Sequence, residues 1–188
     1  MKALRGLLGA MMLLVSASQA LADSAVLKRI ASCRLGAPDV RIELLRGMDG
    51  THSWVYALRD SGPQHWLYDN AEDSRGGSVH WQCAGSEQGQ GVLVLSGEFT
   101  SNYLQGAAFY VDPVSHRIER IAFAERNRPR WVMVSERGTY VVFENTGHES
   151  SSKYLLYAKD DGYQEVDELP TLSAAKHERM IDLRAWKR

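Results

Sequence analysis

The sequence is poor in cysteine and proline, with two and five residues respectively in a chain of 188. Two cysteines cannot build a Cys-rich zinc site alone, and neither Cys33 nor Cys83 has a CxxC partner. Structural zinc and redox cycling are therefore unsupported. An excess of one charge is also missing: 22 Lys and Arg stand against 23 Asp and Glu, a formal net charge of −1. Without a strong basic patch, nucleic acid and anionic membrane surfaces are disfavoured as partners. Long apolar runs are lacking too. The clearest, residues 7–15, falls well short of the roughly 20 residues that a membrane-spanning helix needs. The motifs of familiar enzymes are absent: no GxSxG elbow, no HExxH, no DxDxDG calcium register and no phosphate-cradling glycine loop. The sequence thus implies no catalytic residue, no metal and no cofactor.

What is present begins with a three-part N-terminus. Lys2 and Arg5 give it positive charge, residues 7–15 are apolar, and small residues lead to Ala20-Leu21-Ala22. This is the pattern of a secretory signal cleaved after Ala22. Residues 1–22 are expected to be the signal peptide and residues 23–188 a single β-rich domain, periplasmic or secreted. In such an oxidising compartment Cys33 and Cys83 are expected to pair as a disulfide.

Within residues 24–33, Val26, Leu27, Ile30 and Ala31 have the spacing of one or two helical turns. From residue 40 the texture changes to short runs rich in Val, Ile, Tyr, Phe and Trp, separated by Gly, Asp, Asn, Ser and Pro. These runs predict strands. They fall at 40–46, 53–60, 64–69 and 79–83; at 91–98, 107–112, 117–123 and 130–134; and at 139–144, 153–159 and 163–169. A last run at 180–186 reads equally as helix. Grouped in fours, they form three units whose central hairpins turn at Asp60-Ser61-Gly62-Pro63, Asp112-Pro113-Val114-Ser115 and Asp160-Asp161-Gly162, residues suited to tight turns. Trp81, Trp131 and Trp186 mark the fourth strand of each unit. The pattern predicts an all-β fold of three four-stranded antiparallel units in a propeller-like arrangement, with a short N-terminal helix; the alternative is a β-sandwich.

The six histidines, His52, His65, His80, His116, His148 and His177, are scattered. The acidic cluster Asp69, Glu72 and Asp73 reads as a solvated loop. Glu165, Asp167 and Glu168 read as charges protecting a strand edge. The segment from Ser96 to Gly106 stands out, because it sets two aromatics among small hydrogen-bonding residues. Its centre, Glu98, Phe99, Thr100, Ser101, Asn102 and Tyr103, is the candidate partner-binding loop. If the units are blades, the loops at 47–52 and 145–152 emerge at the same end and share its binding face. Arg126-Asn127-Arg128-Pro129-Arg130 forms a local basic cluster suited to an acidic partner patch.

The text of residues 91–134 resembles the periplasmic immunity proteins that neutralise peptidoglycan amidases delivered by type VI secretion. The residues that carry the resemblance are Val92-Leu93-Val94, Gly97-Glu98-Phe99-Thr100-Ser101, Phe109-Tyr110-Val111-Asp112 with its turn Pro113-Val114-Ser115, residues 117–120, and Arg130-Trp131-Val132-Met133-Val134. The resemblance implies a propeller-like β-fold and a serine-bearing loop that plugs the amidase cleft, with Ser101 nearest the inhibitory serine. The chain departs from that family in having only two cysteines and a longer loop with bulky Tyr103. The expected function is an exported inhibitor or immunity protein whose partner is a secreted peptidoglycan hydrolase. The alternatives are a secreted hydrolase with a non-standard site and a structural subunit of an envelope complex.

Overall fold

The computed structural model describes residues 26–36, 39–85, 91–135, 137–147, 150–159, 162–172 and 178–188. The expected leader and its cleavage point lie outside the described residues, as do His148, His177 and the Asp160-Asp161 pair. The described residues contain no helix and form three antiparallel sheets. The first sheet orders β1 (Lys28–Arg34), β2 (Arg41–Met48), β3 (Trp54–Arg59) and β4 (His65–Trp66). The second orders β5 (Gly77–Ala84), β6 (Val92–Glu98), β7 (Leu104–Val111) and β8 (Ile118–Glu125). The third contains β9 (Trp131–Ser135), β10 (Gly138–Glu144), β11 (Tyr154–Tyr157), β12 (Tyr163–Val166) and β13 (Arg179–Asp182), in the order β12-β11-β10-β9-β13.

The expected N-terminal helix is instead strand β1. Its register against β2 slips between Arg29 and Ala31, so Ile30 is the extra residue of a bulge. Ile30 and Ala31 both pack on the same core. The bulge thus produces the adjacent apolar pair that, with Val26 and Leu27, imitates helical spacing. This correction moves every unit back by one strand. The run at 79–83 opens the second sheet instead of closing the first, and the run at 130–134 opens the third. Trp81 and Trp131 therefore mark first strands. Cys33 and Cys83, 50 residues apart, keep the same period on β1 and β5. Of the final run, residues 180–182 lie in strand β13, antiparallel to β9, whereas Trp186 falls beyond its end.

The second sheet lies between the other two. Val92, Val94, Ala108 and Tyr110 face a core shared with Val132, Val141 and Phe143 of the third sheet. Leu93, Leu95, Ala107 and Phe109 face a core shared with Ile42, Leu44, Tyr56 and Leu58 of the first. Burial on both faces explains why residues 92–95 are continuously apolar, where a half-exposed strand would alternate. A third cluster covers the outer face of the third sheet, where Val166, Leu169 and Leu172 pack around Met133, Val142 and Leu156.

Different ties hold the two interfaces. The Cys33–Cys83 disulfide joins β1 to β5 with a Cα–Cα distance of 5.5 Å. On the other side, the segment after β13 crosses to β5. The Trp81 N–H donates to the Lys187 carbonyl at 3.0 Å, and the Lys187 N–H donates to the Trp81 carbonyl at 2.8 Å.

Candidate partner-binding loop

Residues 99–103 connect β6 to β7. Glu98, Thr100 and Asn102 are exposed, whereas Phe99, Ser101 and Tyr103 are half-buried. The alternation follows from the aromatics, each of which packs beside a different neighbouring sheet.

Phe99 turns toward the first sheet. Its ring meets Tyr56 and Tyr68 edge-on, with centroids at 6.0 and 5.1 Å. It also lies over Gly76, where a Cβ would come within 2.5 Å of the Phe99 Cε1. Only glycine leaves room for the ring there. Gly76 is placed in turn by its N–H bond to the Trp54 carbonyl at 3.0 Å and by its neighbour Arg75, which donates to the Asp49 carboxylate. Asp49 also accepts from the Thr51 hydroxyl at 2.7 Å, the Thr51 N–H at 2.9 Å and the Ser53 N–H at 3.0 Å. The Thr51 hydroxyl first, then the Ser53 N–H, with help from Arg75, hold its carboxyl well below the usual carboxylate range. Burial pushes the neighbouring Tyr68 hydroxyl up to about 12, against the pull of Arg120, whose guanidinium lies 4.9 Å from the Tyr68 ring.

Tyr103 turns toward the third sheet. The Arg126 guanidinium lies over its ring at 5.3 Å. Tyr103 shares the wall of a cleft of about 240 Å³ with Glu125, Asn145, Tyr157, Tyr163 and Glu165. The Tyr157 hydroxyl donates to Glu125 at 2.7 Å. Burial, and next the carboxylate of Glu125, drive the Tyr157 pKa upward. Between the two aromatics the loop is braced by its own polar groups. Gln105 Oε1 accepts from the Thr100 N–H at 2.9 Å, and the Ser101 hydroxyl accepts from the Tyr103 N–H at 3.1 Å. Ser101 thereby serves as a turn acceptor as well as lying half-exposed.

The fold brings the three candidate loops into one row. Through Gly76 and Arg75 the central loop touches the turn organised by Asp49. Through the Tyr103 cleft it meets Asn145, Thr146 and Ser150 of the third loop. The central loop stands out in the sequence by its composition, whereas Asp49, Gly76 and Gln105, which hold it in place, do not. The Asp49-x-Thr51-x-Ser53 spacing, a turn signature, was the available signal for one of them.

The remaining sequence candidates are engaged in local structure. Asn70 caps Asp73, accepting its N–H at 2.9 Å and donating to its carboxylate at 2.7 Å. Among the described residues no group of three His, Cys, Asp or Glu could hold a metal ion. In the basic cluster, Asn127 donates to the Glu144 carbonyl at 2.9 Å, Arg130 lies 3.7 Å from Asp182, and Arg128 approaches His80 Nδ1 at 2.7 Å. His80 Nδ1 also lies 2.8 Å from the Ser78 carbonyl. Among the described residues, no ion pair joins His52, His65, His80 or His116 to a carboxylate, the contact a hydrolase site would use.

No family model, curated protein or solved structure matches the chain.

Proposed function

We propose that the protein is an exported binding protein that blocks a cell-wall-degrading enzyme through the loop centred on Glu98, Thr100 and Asn102. One observation carries this reading. The loop is pinned at both ends by aromatics packed toward different sheets, which leaves a short row of polar side chains at the surface. A loop already ordered loses little conformational freedom on binding, and this favours tight association. The Cys33–Cys83 bond and the lack, among the described residues, of a helix able to cross a membrane are compatible with an exported life. The resemblance of residues 91–134 to immunity proteins supplies the target class. The period near 50 residues and the junction of β1 with β5 support a propeller-like reading of the three sheets.

The test is protection of purified peptidoglycan sacculi from lysis by an envelope extract of the source cells, followed by turbidity. The mature chain should slow lysis. The Thr100→Arg/Asn102→Arg double variant should not, while keeping the wild-type circular dichroism and melting temperature. Equal protection by both proteins would reject the loop, and no protection by either would reject the inhibitor.

A further inference from the structure

The cleft beyond Tyr103 has a chemistry of its own. Tyr163 is 53% exposed and stacks on Tyr157, with centroids 5.7 Å apart and planes inclined by 26°. Two carboxylates face the same space. Glu125 is held by the Tyr157 hydroxyl at 2.7 Å. Glu165 accepts from the Ser150 hydroxyl and lies 3.5 Å from the Tyr163 hydroxyl. Tyr103, on the near wall, already seats one guanidinium, that of Arg126. Among the described residues, two acids and one base thus line a space walled by three tyrosine rings.

We propose that this cleft takes a basic side chain, arginine or lysine, from the protein partner engaged by the loop. The inference rests on reading the loop as a protein interface, because Tyr103 is both the last residue of the loop and the first wall of the cleft. Aromatic faces attract cations through the ring quadrupole, and the acidic excess attracts cations and repels anions. A neutral ligand would strip water from Glu125 and Glu165 without returning a counter-charge, whereas a cation offsets that cost. The approximate volume of 240 Å³ admits one side-chain head group and not a folded element.

The experiment titrates the mature chain with N-acetyl-arginine amide, N-acetyl-lysine amide, N-acetyl-glutamate amide and chitotriose, following tyrosine ring signals by NMR. The basic amides should shift Tyr157 and Tyr163 saturably, and the acidic amide should not. Glu165→Gln and Tyr163→Ala, both at exposed positions, should each weaken arginine-amide binding by severalfold, and adding Glu125→Gln to the former should bring the loss to about tenfold. Added salt should weaken binding further. Equal shifts with the acidic amide, or shifts with chitotriose and none with the basic amides, would overturn the proposal. The Thr100→Arg/Asn102→Arg variant separates the two readings. If the cleft reading holds, this variant binds the arginine amide normally even where sacculus protection is lost. A wild-type chain that protects sacculi yet ignores the basic amides would overturn the cleft and leave the loop reading intact.

Discussion

The two faces of the second sheet are joined to their neighbours in contrasting ways. Toward the first sheet, a covalent bond links β1 to β5, and Phe99 wedges between Tyr56, Tyr68 and Gly76. Toward the third sheet there is no covalent link among the described residues. The crossing segment contributes two backbone hydrogen bonds between Trp81 and Lys187, Leu183 is buried in the shared core, and Lys159 pairs with Glu119 at 2.8 Å. Both interfaces have extensive apolar cores, so burial alone does not distinguish them. The difference should lie in sensitivity: the first interface should respond to reductant, the second to loss of the crossing segment. The candidate loop has one aromatic beside each, so its shape depends on both.

The largest effect should come from the covalent tie. Replacing Cys33 and Cys83 by alanine should cost about 4 kcal/mol, the chain-entropy value for a loop of 50 residues. Denaturant unfolding measures the loss. Hydrogen exchange should show β1–β4 opening more readily than β9–β13; uniform acceleration would mean that the interfaces are not separable units. Next comes the wedge. Phe99→Ala should cost about 2 kcal/mol, less than a fully buried phenylalanine because this ring is half-exposed. Gly76→Ala should act in the same direction by displacing the ring. On the other face, deleting residues 184–188 should cost about 1–2 kcal/mol, the scale of two lost backbone bonds and part of one core contact. Combining that deletion with the cysteine changes sharpens the comparison: additive costs mean independent interfaces, and a larger total means that each supports the other.

The smallest effect concerns acid. The folded-state pKa of Asp49 lies below the ordinary value of 3.8, so its contribution is complete above that value and fades as pH falls below it. Asp49→Asn should therefore destabilise the protein at neutral pH, with the gap from wild type narrowing on acidification. Melting temperatures from pH 7 down to pH 2.5 would show it; a constant gap would mean that the carboxylate acts through shape and not charge.

Much of this organisation was legible in the residues. Asp60 and Asp112 turn their hairpins as expected, Asp60 accepting the Gly62 N–H and Asp112 the Val114 and Ser115 N–H groups. The strand runs lay near their observed positions because β-branched and aromatic clusters between turn residues have few other uses. The frame of the units is masked in the sequence, because a bulge at Ile30 places two neighbours on one core and mimics a helix. The loop was visible by composition, but its supports were not. Gly76 meets Phe99 because β5 pairs with β6, with Gly77 opposite Glu98, whereas Tyr56 and Tyr68 reach the ring only when the first two sheets pack, and no local pattern encodes that second encounter.

The burial of β6 on both faces has a further consequence for the unfolded chain. Val92-Leu93-Val94-Leu95 lacks charge, proline and a solvent-facing position, the composition of a self-associating segment. While the protein is unfolded, this segment is available to identical segments on other chains. Refolding yield should therefore fall steeply with protein concentration, and a lysine placed within the run would relieve aggregation only by disrupting the folded core. The strand that centres the native structure is thus also open to self-association on the way to it.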